Sequence, residues 1–162
     1  MNPFAVLGLE PRMDLSPEEL EQTYLSLSRE THPDAHPGAT SEEQVQILSR
    51  SADINDAYKV LKDPWRRARA ILELRQPGIM DETKQLEPAF LMEAMEQAEN
   101  VASCKAGDHP TLLAHLEAQV DQCLAQITTA IHQGHHRTAA VLLHQARYHQ
   151  KAHHDLEEGE SL

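Results

Sequence analysis

Apolar positions along the chain recur at spacings of three and four, and nowhere alternate with period two over a useful length. The pattern therefore predicts helices and no strands. Pro3 to Leu7 before Gly8 reads as a short first helix. Ser16-Pro17-Glu18-Glu19 supplies a cap, a proline at the first helical position and a glutamate three residues after the cap, predicting a second helix from Pro17 to about Thr31. His32-Pro33-Asp34-Ala35-His36-Pro37-Gly38 cannot be helical throughout, because each proline lacks an N–H and restricts the residue before it, so a loop is expected. Thr40-Ser41-Glu42-Glu43 repeats the capping pattern, and Leu48, Ile54, Ala57, Tyr58 and Leu61 extend a third helix to about Lys62. A fourth starts at Asp63-Pro64, carries Trp65, Ala68, Ile71, Leu72 and Leu74, and ends near Gln76-Pro77-Gly78, where a domain boundary is expected.

Three longer segments follow. Glu87-Pro88 opens one through Phe90, Leu91, Met95 and Ala98 to Ala106-Gly107. His109-Pro110 opens a second through Leu113, Leu116, Val120, Cys123, Leu124, Ile127 and Ile131, almost a heptad seam. The last follows Gly134 with Ala139, Leu142, Leu143, Ala146 and His149. Short turns between such helices predict an antiparallel three-helix bundle. The expected fold is all-α, with a helical hairpin domain over residues 1–76 and the bundle over 77–162.

Composition narrows the function. Against 26 acidic groups stand 14 Lys and Arg in 162 residues, a formal charge of −12. Residues 1–76 carry −4 of this and residues 77–162 carry −8. Such acidity opposes generic binding to nucleic acid or to an anionic membrane, so neither is expected as a partner. No apolar run is long enough for a membrane helix, and the N-terminus lacks a basic segment ahead of an apolar one. A soluble, cytoplasmic protein is expected. Cys104 and Cys123 are too few for a disulfide scaffold and too far apart for a metal knuckle.

Seven of the 11 histidines lie between positions 132 and 154, and His149 and His153 have the i, i+4 spacing that lets two rings reach one metal. Without neighbouring cysteines or a supporting carboxylate pattern, they read as solvated histidines on a polar helix face. No metal or cofactor is expected. A histidine-rich metal-handling protein is the rival function, and it would leave His32 without a role.

The triplet His32-Pro33-Asp34 in register between two helices, with Ile54-Asn55-Asp56-Ala57-Tyr58-Lys59-Val60-Leu61 on the second and Lys62-Asp63-Pro64-Trp65-Arg66-Arg67-Ala68 after it, resembles a J-domain. Ala35 follows the triplet where a basic residue is common in that family. Ala89-Phe90-Leu91-Met92-Glu93 opening a helix past this region, then two further helices, is similar to the HscB family of J-proteins of bacterial iron–sulfur cluster assembly. The resemblance implies a co-chaperone without catalysis of its own. It implies that His32, Pro33 and Asp34, flanked by Gln22 and Arg29, dock on a DnaK-type chaperone ATPase, HscA, and stimulate its ATP hydrolysis. It implies equally that Leu91, Met92, Met95, Glu96, Glu99 and Tyr148 bind the scaffold protein IscU; a J-protein for a different client is the alternative.

Structural readings compete at both places. His32 and Asp34 can simply cap the loop ends, and an acid–base pair is disfavoured because no nucleophile or oxyanion donors accompany them. Phe90, Leu91, Met95 and Ala98 can all face the bundle core, since an apolar stripe is more often core than interface. Phe90 is expected in the core, whereas Met92 and Glu96 lie off that line and Tyr148 is expected to project partly outward.

Overall fold

A computed structural model describes residues 1–160. Its helices are α1 (Pro3–Leu7), α2 (Pro17–Glu30), α3 (Ser41–Lys62), α4 (Pro64–Arg75), α5 (Ile79–Glu82), α6 (Pro88–Ala102), α7 (His109–His132) and α8 (His136–Glu160). No strand occurs among the described residues. The caps form as the sequence predicts. Ser16 accepts from the Glu19 N–H at 3.3 Å, and Thr40 and Glu43 make a reciprocal capping box, each side chain satisfying the other's backbone N–H. Two elements lie outside the expectation. Pro33–Ala35 forms a single 3-10 turn within the loop, and α5 is too short for periodicity to reveal; it starts where Gly78 takes φ 86°, a left-handed backbone that favours glycine.

The chain divides into two compact units, Met1–Leu74 and Arg75–Leu162. In the first, α3 packs against both α1 and α2. Phe4, Leu20, Ile54, Ala57, Leu61, Ile71 and Leu72 are buried there. Tyr24 of α2 stacks on Tyr58 of α3 at 4.2 Å between centroids and donates its hydroxyl to Asn55 Oδ1 at 2.6 Å, which fixes the hairpin. Arg67 is buried but satisfied, donating from Nε to the Leu61 carbonyl at 2.8 Å and from Nη1 to the Met13 carbonyl at 2.6 Å. Desolvation lowers its pKa, opposed by the Asp63 charge. The guanidinium ties α4 to the connection between α1 and α2. Leu48 and Leu74 depart from the expected core stripes and are exposed. For Leu48 the reason is position: α3 has no buried residue before Ile54, and in its first turns it is Ile47, half-buried, that lines a cavity with Glu30, Thr31 and His36.

In the second unit α8 packs along α7 and also against α6. The pairing is antiparallel: His109 Nε2 reaches the Leu156 carbonyl, Glu117 reaches His153, and Cys123 Sγ reaches the Leu142 carbonyl, so partners fall along α8 as they rise along α7. Leu116, Ile127, Ala139, Ala140 and Ala146 are among its buried residues, and alanines on α8 allow the helices to approach closely. Burial pushes the Cys123 thiol pKa up.

Candidate functional site

The loop between α2 and α3 is held by short local bonds. Buried Thr31 donates its hydroxyl to the Leu27 carbonyl at 2.9 Å and closes α2. His32 is extended, and its Nδ1 accepts from the Asp34 N–H at 3.1 Å. The Ala35 N–H bonds to the His32 carbonyl at 2.9 Å and the His36 N–H to that of Pro33 at 3.1 Å. His36 donates from Nε2 back to the Glu30 carbonyl at 2.6 Å. Because His32 Nδ1 accepts, the neutral ring carries its proton on Nε2, which remains a donor for a partner. The capping reading is thus correct for His32, and capping presents the second nitrogen. The Asp34 carboxylate comes within 3.6 Å of His32 Nδ1 yet is 93% exposed. It is a charged acceptor suited to an incoming guanidinium.

Arg29 joins His32 and Asp34 in one shallow groove, completed by Leu25, Ser28 and Ala35. Gln22 is exposed on α2 but does not line it. Sequence reasoning missed Leu25, whose signal was available: an exposed leucine one turn before Arg29, on the same helix face. The one hydroxyl that lines this groove, Ser28, makes no hydrogen bond to His32 or Asp34 among the described residues, so no activated nucleophile is assembled there.

The α6 surface is built differently. No residue of α6 is fully buried. Phe90, expected in the core, is only half-buried, its ring meeting Tyr148 edge-on at 5.6 Å and His149 at 5.8 Å. Leu91 is half-buried. Met92 is 71% and Met95 65% exposed, and Ala98, Glu96 and Glu99 are exposed as well. A core role for Met95 and Ala98 is therefore corrected: Phe90, Leu91, Ala94, Gln97 and Val101 make up the half-buried side of α6, against α8 and α7, and Met92, Met95 and Ala98 lie on the exposed side. The Phe90 contact sets Tyr148, 44% exposed, beside this strip. Next to Tyr148, a groove lined by Lys84, Leu86, His144, Arg147 and Lys151 gathers three of the five cations found in residues 77–162. Sequence reasoning passed over it, although Arg147 and Lys151 stand at i, i+4.

The histidine pair does not act as a pair. His149 Nδ1 meets Gln97 Oε1 at 3.3 Å, and burial pushes its pKa below the ordinary 6.5. His153 turns to Glu117 and Glu157.

An antiparallel hairpin that presents an exposed His-Pro-Asp turn, followed by a helical unit with an uncovered apolar strip, defines the class of J-domain co-chaperones. Residues 2–70 match the family described as DnaJ domain, and residues 86–157 match that described as HSCB C-terminal oligomerisation domain. The co-chaperone HscB homologue of Neisseria gonorrhoeae is 33% identical over 160 residues, covering 94% of this chain and 95% of that protein. That of Pseudoalteromonas atlantica is 37% identical over 128 residues, covering 78% and 72%. The structure of the chaperone HscB from Vibrio cholerae superposes with a TM-score of 0.80 at 28% identity, covering 99% of this chain and 98% of that one. Human co-chaperone HscB shares the fold, with a TM-score of 0.83 at 22% identity over 99% of this chain and 82% of that one. The chain belongs to the HscB family. Its role is that of a co-chaperone in iron–sulfur cluster assembly, regulatory and not catalytic. No helix among the described residues is long and apolar enough to cross a membrane.

Proposed function

We propose that residues 1–76 engage the ATPase domain of HscA, a DnaK-type chaperone, through His32, Pro33 and Asp34 with Arg29 and Gln22 alongside, while residues 77–162 carry IscU on Leu91, Met92, Met95, Glu96, Glu99 and Tyr148. The observation that carries the reading is the state of the His-Pro-Asp turn. Its backbone is already hydrogen-bonded by its own ring, so Nε2–H and the exposed Asp34 carboxylate stand ready without further ordering. Docking of these groups favours the hydrolysis-competent arrangement of the chaperone. The exposed methionines supply an adaptable apolar surface for the client, with Glu96 and Glu99 as its charged edge. The complex acts in the cytoplasm, where Cys104 and Cys123 remain free thiols.

The test is steady-state ATP hydrolysis by HscA, with and without IscU, comparing the natural chain with His32→Gln. Stimulation that rises further with IscU and disappears in the variant is expected. Stimulation indifferent to IscU would transfer the second unit to another client, and full stimulation by a folded His32→Gln chain would remove the loop from the mechanism.

A further inference from the structure

His153 meets one carboxylate from across the bundle and a second one turn along its own helix. His153 of α8 has Nε2 at 3.4 Å from Glu117 Oε1 of α7, and Nδ1 at 3.4 Å from Glu157 Oε2 one turn along α8. One ligand atom from each of the three residues lies within 4.8 Å of the other two. We propose that Glu117, His153 and Glu157 form a divalent transition-metal site, with Zn²⁺ the ion that this donor set fits best, joining α7 to α8.

Three observations support it. The first is spacing. Two ligands bonded at about 2.1 Å to a tetrahedral ion stand about 3.4 Å apart, which is the separation of His153 Nε2 from Glu117 Oε1. Glu157, half exposed, reaches the same side by a rotamer change, and water completes the shell, as at zinc sites with three protein ligands. The second is charge. Neither Glu117 nor Glu157 is paired with Lys or Arg among the described residues, so both carboxylates are open to a metal cation. The third is rigidity. Leu116, Ala152 and Leu156, each a sequence neighbour of a ligand, are buried together in one apolar cluster, which fixes the backbone on which two ligand helices stand. One imidazole with two carboxylates favours zinc over the all-oxygen preference of Mg²⁺ or Ca²⁺. A bound ion crosslinks α7 and α8 and stabilises the second unit by mass action.

The test uses the full chain, stripped with chelator and then titrated with Zn²⁺ at pH 7.5. About 100 µM Zn²⁺ should raise the thermal midpoint by roughly 3–5 °C. Glu117→Gln and His153→Gln should each remove most of that rise, while His154→Gln, which changes an exposed neighbour, should keep it. With Co²⁺ as the probe, the strong visible bands of a tetrahedral ion should appear in the natural chain and vanish in Glu117→Gln. No rise in the natural chain overturns the site. So does a rise undiminished in both Glu117→Gln and His153→Gln, which would assign the ion to other histidines.

Discussion

The two candidate surfaces differ in how they are prepared for a partner. The loop after α2 is polar and already ordered: four short hydrogen bonds hold residues 30–36, and the exposed groups it offers a partner include one ring N–H and one carboxylate. The α6 strip is apolar and loosely seated, with long thioether side chains free to choose rotamers and the edge-on contacts of Phe90 with Tyr148 and His149 fixing its edge. A pre-ordered polar loop gives directional recognition that one atom can abolish. An adaptable apolar strip spreads its binding energy over several side chains, so damage there should be graded.

The sharpest way to break that comparison is His32→Gln, for which the largest effect is expected. Stimulation of the chaperone should fall to the basal rate, and because the loop is solvent-exposed the thermal midpoint should move little. Activity that declines only partly would make the loop graded too, and the contrast would fail. The strip comes next. Replacing Met92 and Met95 together with Ala should weaken scaffold binding by roughly 10- to 100-fold in calorimetry, with each single variant intermediate and stimulation without IscU unchanged. An unaltered affinity would return both residues to mere exposed surface. Glu96→Gln with Glu99→Gln should cost only about 2- to 5-fold, mostly in the association rate, and the difference should shrink at high salt. A loss as large as that of the methionine pair would mean that charge, not apolar burial, carries the strip.

How much of this was legible in the sequence follows from the range of the forces involved. Caps and prolines act over three or four residues, so Ser16, Thr40, Pro64 and Pro88 mark helix starts directly in the text. The His-Pro-Asp triplet is equally local. Exposure is not, because it depends on where a neighbouring helix lies. Leu48 keeps the stripe spacing yet lies on turns of α3 that have no buried residue, and Met95 keeps it on the exposed side of α6. Glu117 stands 36 residues from His153, so only the antiparallel register of α7 and α8 brings its carboxylate to the ring. Chemistry made within a turn was readable; chemistry made between helices was not.

The last contrast lies between two desolvated basic side chains, one in each unit, and it predicts a modest pH effect confined to the second. Arg67 and His149 both have their pKa lowered by desolvation. Arg67 stays charged at any physiological pH, and two backbone carbonyls satisfy it, so its burial adds no pH dependence. His149 meets Gln97 Oε1 and the edge of Phe90, and the folded state favours its neutral ring. With the folded pKa below the ordinary 6.5, the unfolded chain takes the proton first as pH falls. The stability contributed by the neutral ring is therefore complete above pH 6.5, declines as pH drops from there through the folded pKa, and is flat below it. Thermal midpoints measured between pH 7.5 and 5.5 should fall more steeply for the natural chain than for His149→Gln, by a few degrees at most, since the ring is only partly buried. The difference between the two curves isolates His149 from the other ten histidines, which both chains share. Parallel curves would show that the ring is protonated as easily in the folded unit as in the unfolded chain, and the Gln97 contact would then bind the imidazolium as well as the neutral ring.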